Sequence, residues 1–581
     1  MNKNIINKKA ALSRVLPLSF LLLGLTSCGD SFLDVSSKTD ASTDNFNKTA
    51  EQAEILLKGC YDGWQGTVSQ GPTFTFQLAS EYMSDECYGG AGATDARNAQ
   101  VVDRFDISQD VSQTNLYDDL WTYYYEAIYN CNELLSMEND YSWTDQEHGR
   151  IIGECRAIRA LCYFDLVRLF ENVPLLNTIS NDNMPQAAPD SVYALIASDL
   201  QYAAEHIPAN AYPKADAANN DGRISCYAAE AMLARVYLFY DGVYNNGKRG
   251  TMPGGVTAAK ALAGLEDVIA SGQYGLVPLY RNLWPASATC KSYVGYWLGD
   301  VAGGTKYSDY AGNGNVETVL AMKFNYTHDY NGNNAGNQSI KMFGLRTGNV
   351  ITVPYGQGWG GATVTEKTWN AFPTGDQRQS ASIINLAQEG IASMDTYKSV
   401  VSDQREYTGF AIKKYTPLSK TDNKGNITHY YQEVQGGDFQ VSQPQDYVLM
   451  RYADVLLMAA ELGSSNAQNY FDLVRKRAYT DDDGVLNTTA YHQLPPTEAN
   501  IMNERRLEFV GEGIRYWDLL RQGISTAANA IAASSGNVVS GGNAEQVNII
   551  ASNITAKRGF CQIPLTQIQR SNNVLKQNAG W

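Results

Sequence analysis

Residues 148–170 carry apolar side chains at helical spacing, and this pattern is the strongest constraint on the fold. The apolar positions share one broad face of a helix: Ile151, Ile158, Leu161, Leu166 and Leu169. Arginines supply the polar positions: Arg150, Arg156, Arg159 and Arg168. Pro174 closes the segment, since proline ends a helical pattern at the residue before it. The same periodicity dominates residues 50–240 and predicts a mainly α fold.

A second pair of helices follows the first. Asp190 is placed to cap a helix over Ser191–His206, which Pro208 ends, and Ile224–Tyr240 forms its partner. Helix pairs of about 35–50 residues with small residues at their contacts are typical of TPR-like packing. We therefore predict TPR-like helices over about residues 50–271 and again over about 445–522.

The composition changes near residue 272. From there to about residue 440 the chain is rich in Gly, Asn, Tyr and Trp, and short apolar pieces such as Thr318–Phe324 and Phe410–Lys414 predict strands. Long loops held on a rigid scaffold usually carry function, so we expect the ligand region at about 272–440. Helices are predicted to return at 445–463, 467–480 and 497–522, with Thr497 as an N-cap. Residues 559–581 are predicted to be irregular.

The first thirty residues are typical of an export signal. Basic residues precede the apolar run Val15–Leu25, which at about eleven residues is too short to span a bilayer of roughly 30 Å as a helix. Leu25-Thr26-Ser27-Cys28 resembles the lipobox of bacterial lipoproteins, in which the cysteine is acylated. We predict a signal peptide over 1–27, lipidation at Cys28 and a lipid-anchored tether over 28–48. An ordinary signal peptide with an incidental cysteine is the alternative.

Charge and cysteine content narrow the possible ligands. The formal net charge is −16, and an acidic protein is a poor partner for nucleic acid, whose phosphates need Lys and Arg.

The eight cysteines beyond Cys28 are scattered and form no CxxC pair, so a zinc site has no support in the sequence. We expect mostly buried free thiols, and no cofactor.

Five segments in the expected order carry a specific resemblance. They are 154–175 (ECRAIRALCYFDLVRLFENVPL), 451–461 (RYADVLLMAAE), 471–478 (FDLVRKRA), 501–523 (IMNERRLEFVGEGIRYWDLLRQG) and the ending 562–581. Each resembles a signature segment of the SusD/RagB family, and Phe32-Leu33-Asp34 after the lipobox agrees with it. Ala579 departs from the proline that is usual in the ending, and Gln569-Arg570 stands where an acidic residue is commoner.

The resemblance implies a SusD-like fold, with TPR-like helices supporting a variable, loop-rich face. It implies a lipoprotein of the outer membrane of Bacteroidota that faces the cell exterior. It also implies a partner, a SusC-like TonB-dependent β-barrel transporter, to which the lipoprotein passes an oligosaccharide or polysaccharide. Some family members serve peptide uptake instead, so a peptide-cargo or protein-binding lid of the same transporter class remains the alternative.

Aromatic residues in the glycine-rich segments are the candidate ligand contacts. Sugar rings lie on aromatic faces, and their hydroxyls need polar partners. Family members draw their ligand face from loops in these regions of the chain. By that analogy we expect glycan binding by Asp85, Tyr88, Arg97, Trp284, Tyr293, Tyr296, Trp297 and Trp359. Asp329–Asn334 begins like a calcium loop but lacks its glycine and its final glutamate, so a polar loop is favoured over a structural calcium ion.

Catalysis has little support. Glu504, Glu508 and Glu512 lie on one helical stripe, but such spacing does not establish the separation across a sugar that glycoside hydrolysis needs. Their alternative role is a buried ion network, for example with Glu461 paired to Arg505 or Arg506. The sequence has no HExxH or GxSxG motif. We therefore predict a binding protein rather than an enzyme, with a surface glycoside hydrolase as the less favoured rival.

Overall fold

Helices that pack against one another form most of the N-terminal half. The structure, a computed structural model, describes residues 48–180, 182–289, 310–327, 334–346, 352–390, 401–421, 427–429 and 438–581. Helices up to residue 289 are α1 (Ala50–Ser69), α2 (Phe76–Tyr82), α3 (Asn98–Asp103), α4 (Asp118–Ser136), α5 (Asp145–Phe170), α6 (Pro189–His206), α7 (Ala217–Asn220), α8 (Cys226–Tyr244), α9 (Ala258–Ala270) and α10 (Pro285–Thr289). The predicted mainly α fold is confirmed.

The central helix is α5, where the apolar periodicity was strongest. It begins with a capping box: the Thr144 hydroxyl accepts a hydrogen bond from the Glu147 amide, and the Glu147 carboxylate accepts one from the Thr144 amide. Helices α1, α4 and α6 pack around it. At Gly153 a Cβ atom would lie 2.6 Å from Ile207 Cγ1, so a residue without a side chain allows α5 to approach the end of α6 closely.

The stack of paired helices continues into the C-terminal half. Helix α6 packs on α8 and α8 on α9, and α9 contacts the first helix after the loop-rich region. The later helices are α11 (Ser339–Phe343), α12 (Glu366–Trp369), α13 (Arg378–Ser382), α14 (Tyr452–Glu461), α15 (Ala467–Ala478), α16 (Glu498–Glu508), α17 (Arg515–Leu520), α18 (Ile524–Ala532), α19 (Ala551–Ala556) and α20 (Leu565–Arg570).

Short strands organise the loop-rich region. They are β1 (Cys87–Gly90), β2 (Val173–Pro174), β3 (Gln186–Ala187), β4 (Thr318–Met322), β5 (Leu345–Arg346), β6 (Gln357–Gly358), β7 (Gly361–Val364), β8 (Ile383–Asn385), β9 (Phe410–Ile412), β10 (Ser419–Thr421), β11 (Ile427–His429), β12 (Tyr447–Arg451), β13 (Gly536–Ser540) and β14 (Asn543–Val547). An antiparallel sheet in the order β1-β7-β9-β8 brings the segment near residue 90 to the segments near 361 and 410. The hairpin β13–β14 joins this region through the bridge between Tyr407 and Val539.

Several predicted boundaries and one predicted cap were wrong. Residues 447–451 are strand rather than helix, since they pair with β4, and helix begins only at Tyr452. The helix predicted over 497–522 stops after Glu508 and resumes at Arg515; between them Gly511 takes a φ of +78°. Asp190 does not cap α6, which begins at Pro189; its carboxylate accepts a hydrogen bond from Tyr240 instead.

The cysteine prediction and the predicted cap at Thr497 agree with the structure. Thr497 caps α16 through a hydrogen bond from the Asn500 amide. Every cysteine within the described ranges is a buried free thiol, as expected. The chain's end is less irregular than predicted, because Leu565–Arg570 forms a helix.

Among the described residues, no helix combines the length and the apolar character that crossing a bilayer requires.

Candidate functional site

Trp359 lies on a tightly held turn between β6 and β7. Its amide donates a hydrogen bond to the Lys341 carbonyl at 2.7 Å. The next residue, Gly360, has a φ of +69°, and its carbonyl accepts from the Ala91 amide at 2.9 Å and from Gln404 Nε2 at 3.1 Å. This positive φ favours glycine, and a Cβ on Gly360 would also lie 2.9 Å from Arg346 Cβ. The turn thereby presents Trp359 at the surface, with 36% of the residue exposed.

Charged side chains of both signs lie near this turn. Lys341 Nζ lies 4.9 Å from the centre of the Trp359 ring, and Arg346 Nη1 donates to the Trp359 carbonyl at 3.4 Å. Arg346 Nε also donates to Asp403 Oδ2 at 2.9 Å, and its Nη1 lies 3.8 Å from Asp95 Oδ2. We call these five residues, Trp359, Lys341, Arg346, Asp95 and Asp403, the Trp359 face.

Backbone contacts hold the loops of the Trp359 face in place. The Ala93 amide donates to the Asp403 carbonyl at 3.0 Å, and Arg405 Nη2 donates to the carbonyls of Ala93 and Asp95. The turn of the β13–β14 hairpin adds a hydrogen bond from the Gly541 amide to the Gln404 carbonyl at 2.9 Å. The exposed side chains therefore stand on a backbone that is already ordered, which lowers the entropy lost on binding.

The chemistry of the Trp359 face suits an uncharged, polar ligand. Two basic and two acidic side chains balance each other, and the side chains of Asp95 and Asp403 are about half exposed. Burial lowers the pKa of Lys341 to about 8, so its ammonium group still carries most of its charge at pH 7. A partly exposed indole with hydrogen-bonding groups nearby suits a ring that has an apolar face and polar substituents.

Three of the predicted ligand contacts are core residues in the structure. Asp85 is 1% exposed and accepts a hydrogen bond from Arg515 Nε at 2.7 Å; burial opposes its ionisation, but Arg515 outweighs burial and lowers its pKa. The Tyr88 hydroxyl donates to the Ser534 carbonyl, and burial raises its pKa to about 12. Trp284 lies under Lys414 Nζ, at 4.3 Å from its ring centre. These three predictions are corrected, because an external ligand does not reach buried side chains.

The remaining predicted ligand contacts are exposed, partly exposed or outside the described residues. Trp359 is exposed and lies in the face defined above. Arg97 is partly exposed, follows Asp95 by two residues and pairs with Glu545 at 3.5 Å, so its role stays a prediction. Tyr293, Tyr296 and Trp297 lie outside the described residues, as do Cys28 and residues 329–333 of the possible calcium loop.

Sequence reasoning missed four members of the Trp359 face. Lys341, Arg346 and Asp403 stand in segments without a motif, and Asp95 was not among the predicted contacts although it lies between Asp85 and Arg97 in the chain. Contacts between segments that are distant along the chain bring them to Trp359, and one sequence carries no signal for such contacts.

Glu508, the last residue of α16, lies at the centre of a buried ion network. Glu508 accepts hydrogen bonds from Arg378 Nη1 at 3.1 Å, from Arg451 Nη1 at 3.0 Å and from Arg477 Nη2. Burial opposes ionisation of Glu508, but these guanidinium groups prevail and lower its pKa to about 2. Arg451 and Arg477 both also bond to Glu317. Below, "buried ion network" means Glu508, Arg378, Arg451, Arg477 and Glu317.

The predicted partner of Glu461, Arg505 or Arg506, was wrong. Glu461 accepts from Arg521 at 2.5 and 2.9 Å, whereas Arg505 bonds to Asp454 and Asp518. The general expectation of buried ion pairs between helices holds, with different partners.

Fold and site together define a class: a helical-repeat scaffold that carries a loop-built face with an exposed aromatic residue. Two family models match the chain, one described as "SusD family" over residues 316–581 and one as "Starch-binding associating with outer membrane" over residues 31–238. The chain belongs to the SusD/RagB family.

Known relatives resemble this protein over nearly its whole length. SusD-like protein P2 of Formosa agariphila is 24% identical, and the match covers 97% of this chain and 99% of that protein. Among solved structures, a laminarin-binding SusD-like protein has a TM-score of 0.66 at 24% identity, covering 92% of this chain and 100% of the other. Surface glycan-binding protein A from Bacteroides thetaiotaomicron, solved with laminarihexaose, has a TM-score of 0.66 at 22% identity, covering 91% and 99%. At these identities the solved structures show a shared fold.

Proposed function

We propose that this protein captures an oligosaccharide at the cell surface through the Trp359 face and performs no chemistry on it. The observation that carries the proposal is the partly exposed side chain of Trp359, which stands on an ordered backbone with Lys341 beside its ring and the Arg346–Asp403 pair nearby. The name of the laminarin-binding relative and the laminarihexaose complex of another support a glycan as ligand. Balanced charge on the face favours a neutral glycan over an anionic one.

The delivery of this cargo completes the proposal. Lipidation at Cys28 would hold the protein on the outer membrane, and the description of one matching family model names that membrane. A SusC-like TonB-dependent barrel would then receive the glycan. Tyr293, Tyr296, Trp297 and Arg97 stay candidates for further ligand contacts.

Affinity gel electrophoresis tests glycan capture. The protein is run in gels that contain laminarin, starch or an anionic polysaccharide such as alginate, beside Trp359→Ala and the control Tyr129→Ala. Tyr129 is an exposed aromatic on α4, 48% accessible and outside the Trp359 face. We expect retardation by a neutral glycan that Trp359→Ala weakens about tenfold, since losing one aromatic platform costs about 1.5 kcal/mol. Tyr129→Ala should behave like the unchanged protein.

Other outcomes would favour the rivals. Reducing ends released from a retarding glycan would indicate a glycoside hydrolase. Absence of retardation by every glycan, with a peptide or a barrel co-purifying instead, would favour the peptide-cargo or protein-binding lid. Equal retardation of both variants would refute the assignment of the Trp359 face.

A further inference from the structure

Three thiols from three different helices meet in the core. Cys60 lies on α1, Cys131 on α4 and Cys155 on α5, and their Sγ atoms all lie within 4.8 Å of one another. Each of the three side chains is fully buried. These helices begin the helical stack, so the cluster lies where its first three long helices pack together.

The spacing of the sulfur atoms fits a shared metal ion. At a metal–sulfur distance of about 2.3 Å, the ligands of one ion lie about 3.8–4.0 Å apart, for tetrahedral and trigonal geometry respectively. Sulfur atoms already within 4.8 Å reach that spacing by small side-chain rotations. A disulfide requires two of them to approach to about 2.05 Å and leaves the third thiol unused.

A basic group stands beside the cluster. Arg159 follows Cys155 by one turn of α5, and its Nη1 donates to Oδ1 of Asn132, the neighbour of Cys131, at 2.7 Å. The other side of the guanidinium bonds to Asp199 at 2.8 and 2.9 Å. Asp199 balances most of the guanidinium charge, so what stands one helical turn from the cluster is a buried ion pair.

We propose that Cys60, Cys131 and Cys155 bind one thiophilic d10 metal ion, Cu⁺ or Zn²⁺, which ties α1, α4 and α5 together. Sulfur ligands select these ions over hard cations such as Mg²⁺ or Ca²⁺. Each thiol that becomes a ligand loses its proton to solvent, so Zn²⁺ bound by three thiolates forms a centre of charge −1, without oxidation or reduction. Because the three side chains are fully buried, the ion enters while the helices close, during folding.

Refolding with metal tests the site. The full chain is unfolded in guanidinium with a reductant and refolded without oxygen in the presence of Cu⁺ or Zn²⁺. After gel filtration, the metal content is measured by plasma mass spectrometry. The variants are Cys60→Ser and Cys155→Ser, with Cys162→Ser as the matched control. Cys162 is equally buried on the same helix as Cys155 but is not part of the cluster.

We expect about one ion per chain in the unchanged protein and in Cys162→Ser, and an affinity at least about tenfold lower in the two cluster variants. X-ray absorption of the loaded unchanged protein should show sulfur neighbours at about 2.3 Å. This second measurement needs no variant to fold. Comparing the two metals shows which ion the site retains.

Several results would overturn the proposal. These are a refolded protein that retains neither ion, equal retention by Cys60→Ser and Cys162→Ser, and an absorption spectrum dominated by nitrogen or oxygen neighbours. A mass two hydrogens lower, from a disulfide between two of these cysteines in the protein isolated from cells, would also refute it. Glycan retardation is read separately, so failure of one proposal leaves the other standing.

Discussion

Replacing Glu508 by glutamine removes the central anion of the buried ion network while keeping the shape of the side chain. The carboxylate accepts hydrogen bonds from Arg378, Arg451 and Arg477, and none of its surface is exposed. The glutamine amide cannot balance three guanidinium groups, and one side of it carries hydrogen atoms. Removing one partner of a buried ion pair is strongly destabilising, because the remaining charge is left uncompensated.

The structure gives the size of the effect in two ways. A carboxyl whose pKa falls from 4.5 to about 2 is stabilised in its charged form by about 3 kcal/mol. Breaking a buried ion pair typically costs about 3–5 kcal/mol. Each arginine keeps a second carboxylate, for example Glu317 for Arg477, so the lower end applies. We expect Glu508→Gln to lower the free energy of unfolding by about 3 kcal/mol at pH 7.

The effect should depend on pH with a definite sign. A carboxyl with a lowered pKa contributes its stabilisation above the unfolded value, near 4.5, and loses it as the pH falls towards about 2. The difference in stability between the unchanged protein and Glu508→Gln should therefore be full at pH 7 and shrink through that window.

Urea unfolding followed by tryptophan fluorescence measures the difference at several pH values. The control is Glu498→Gln, an exposed glutamate in the first turn of the same helix, for which we expect a loss below about 1 kcal/mol. A loss for Glu508→Gln no larger than that of the control would refute the reasoning. So would loss of a hydrolytic activity in a Glu508→Gln protein of unchanged stability, since that would make Glu508 catalytic rather than structural.

Two further predictions concern packing and the charge beside Trp359. Gly153→Ala should destabilise the protein by about 1–3 kcal/mol in thermal unfolding, because its Cβ would overlap Ile207. The control is Gly59→Ala on α1, where the added Cβ would have no atom within 4 Å; this change should stabilise the protein by up to about 1 kcal/mol. If both variants shifted the unfolding free energy in the same direction, the packing argument would be contradicted. Burial lowers the pKa of Lys341 to about 8 from 10.5, so the stability of the protein relative to Lys341→Met should rise with pH between these values. A flat or falling difference in urea unfolding would show that the Lys341 ammonium is not desolvated.

Local patterns predicted much of the scaffold and little of the site. The periodicity of residues 148–170 predicted α5 because each apolar position is set by neighbours three and four residues away. Tyr447–Arg451 looked equally helical, but its pairing partner β4 lies well over a hundred residues earlier. Among the candidate contacts, Trp284 and Trp359 are alike in residue type, and only the packing buries one and exposes the other.

The sequence by itself determined the helix-rich scaffold, the family signatures and the absence of sequence motifs for several common enzymes. It also indicated an export signal, because the basic residues, the apolar run and the lipobox-like segment all lie within the first thirty residues. The tertiary structure decided which aromatic residue faces solvent, which charges surround it and which arginine each glutamate meets. It also brought together Cys60, Cys131 and Cys155, which no spacing rule connects. Contacts between distant segments depend on how whole elements pack, and that information is spread over the chain rather than held in any one motif.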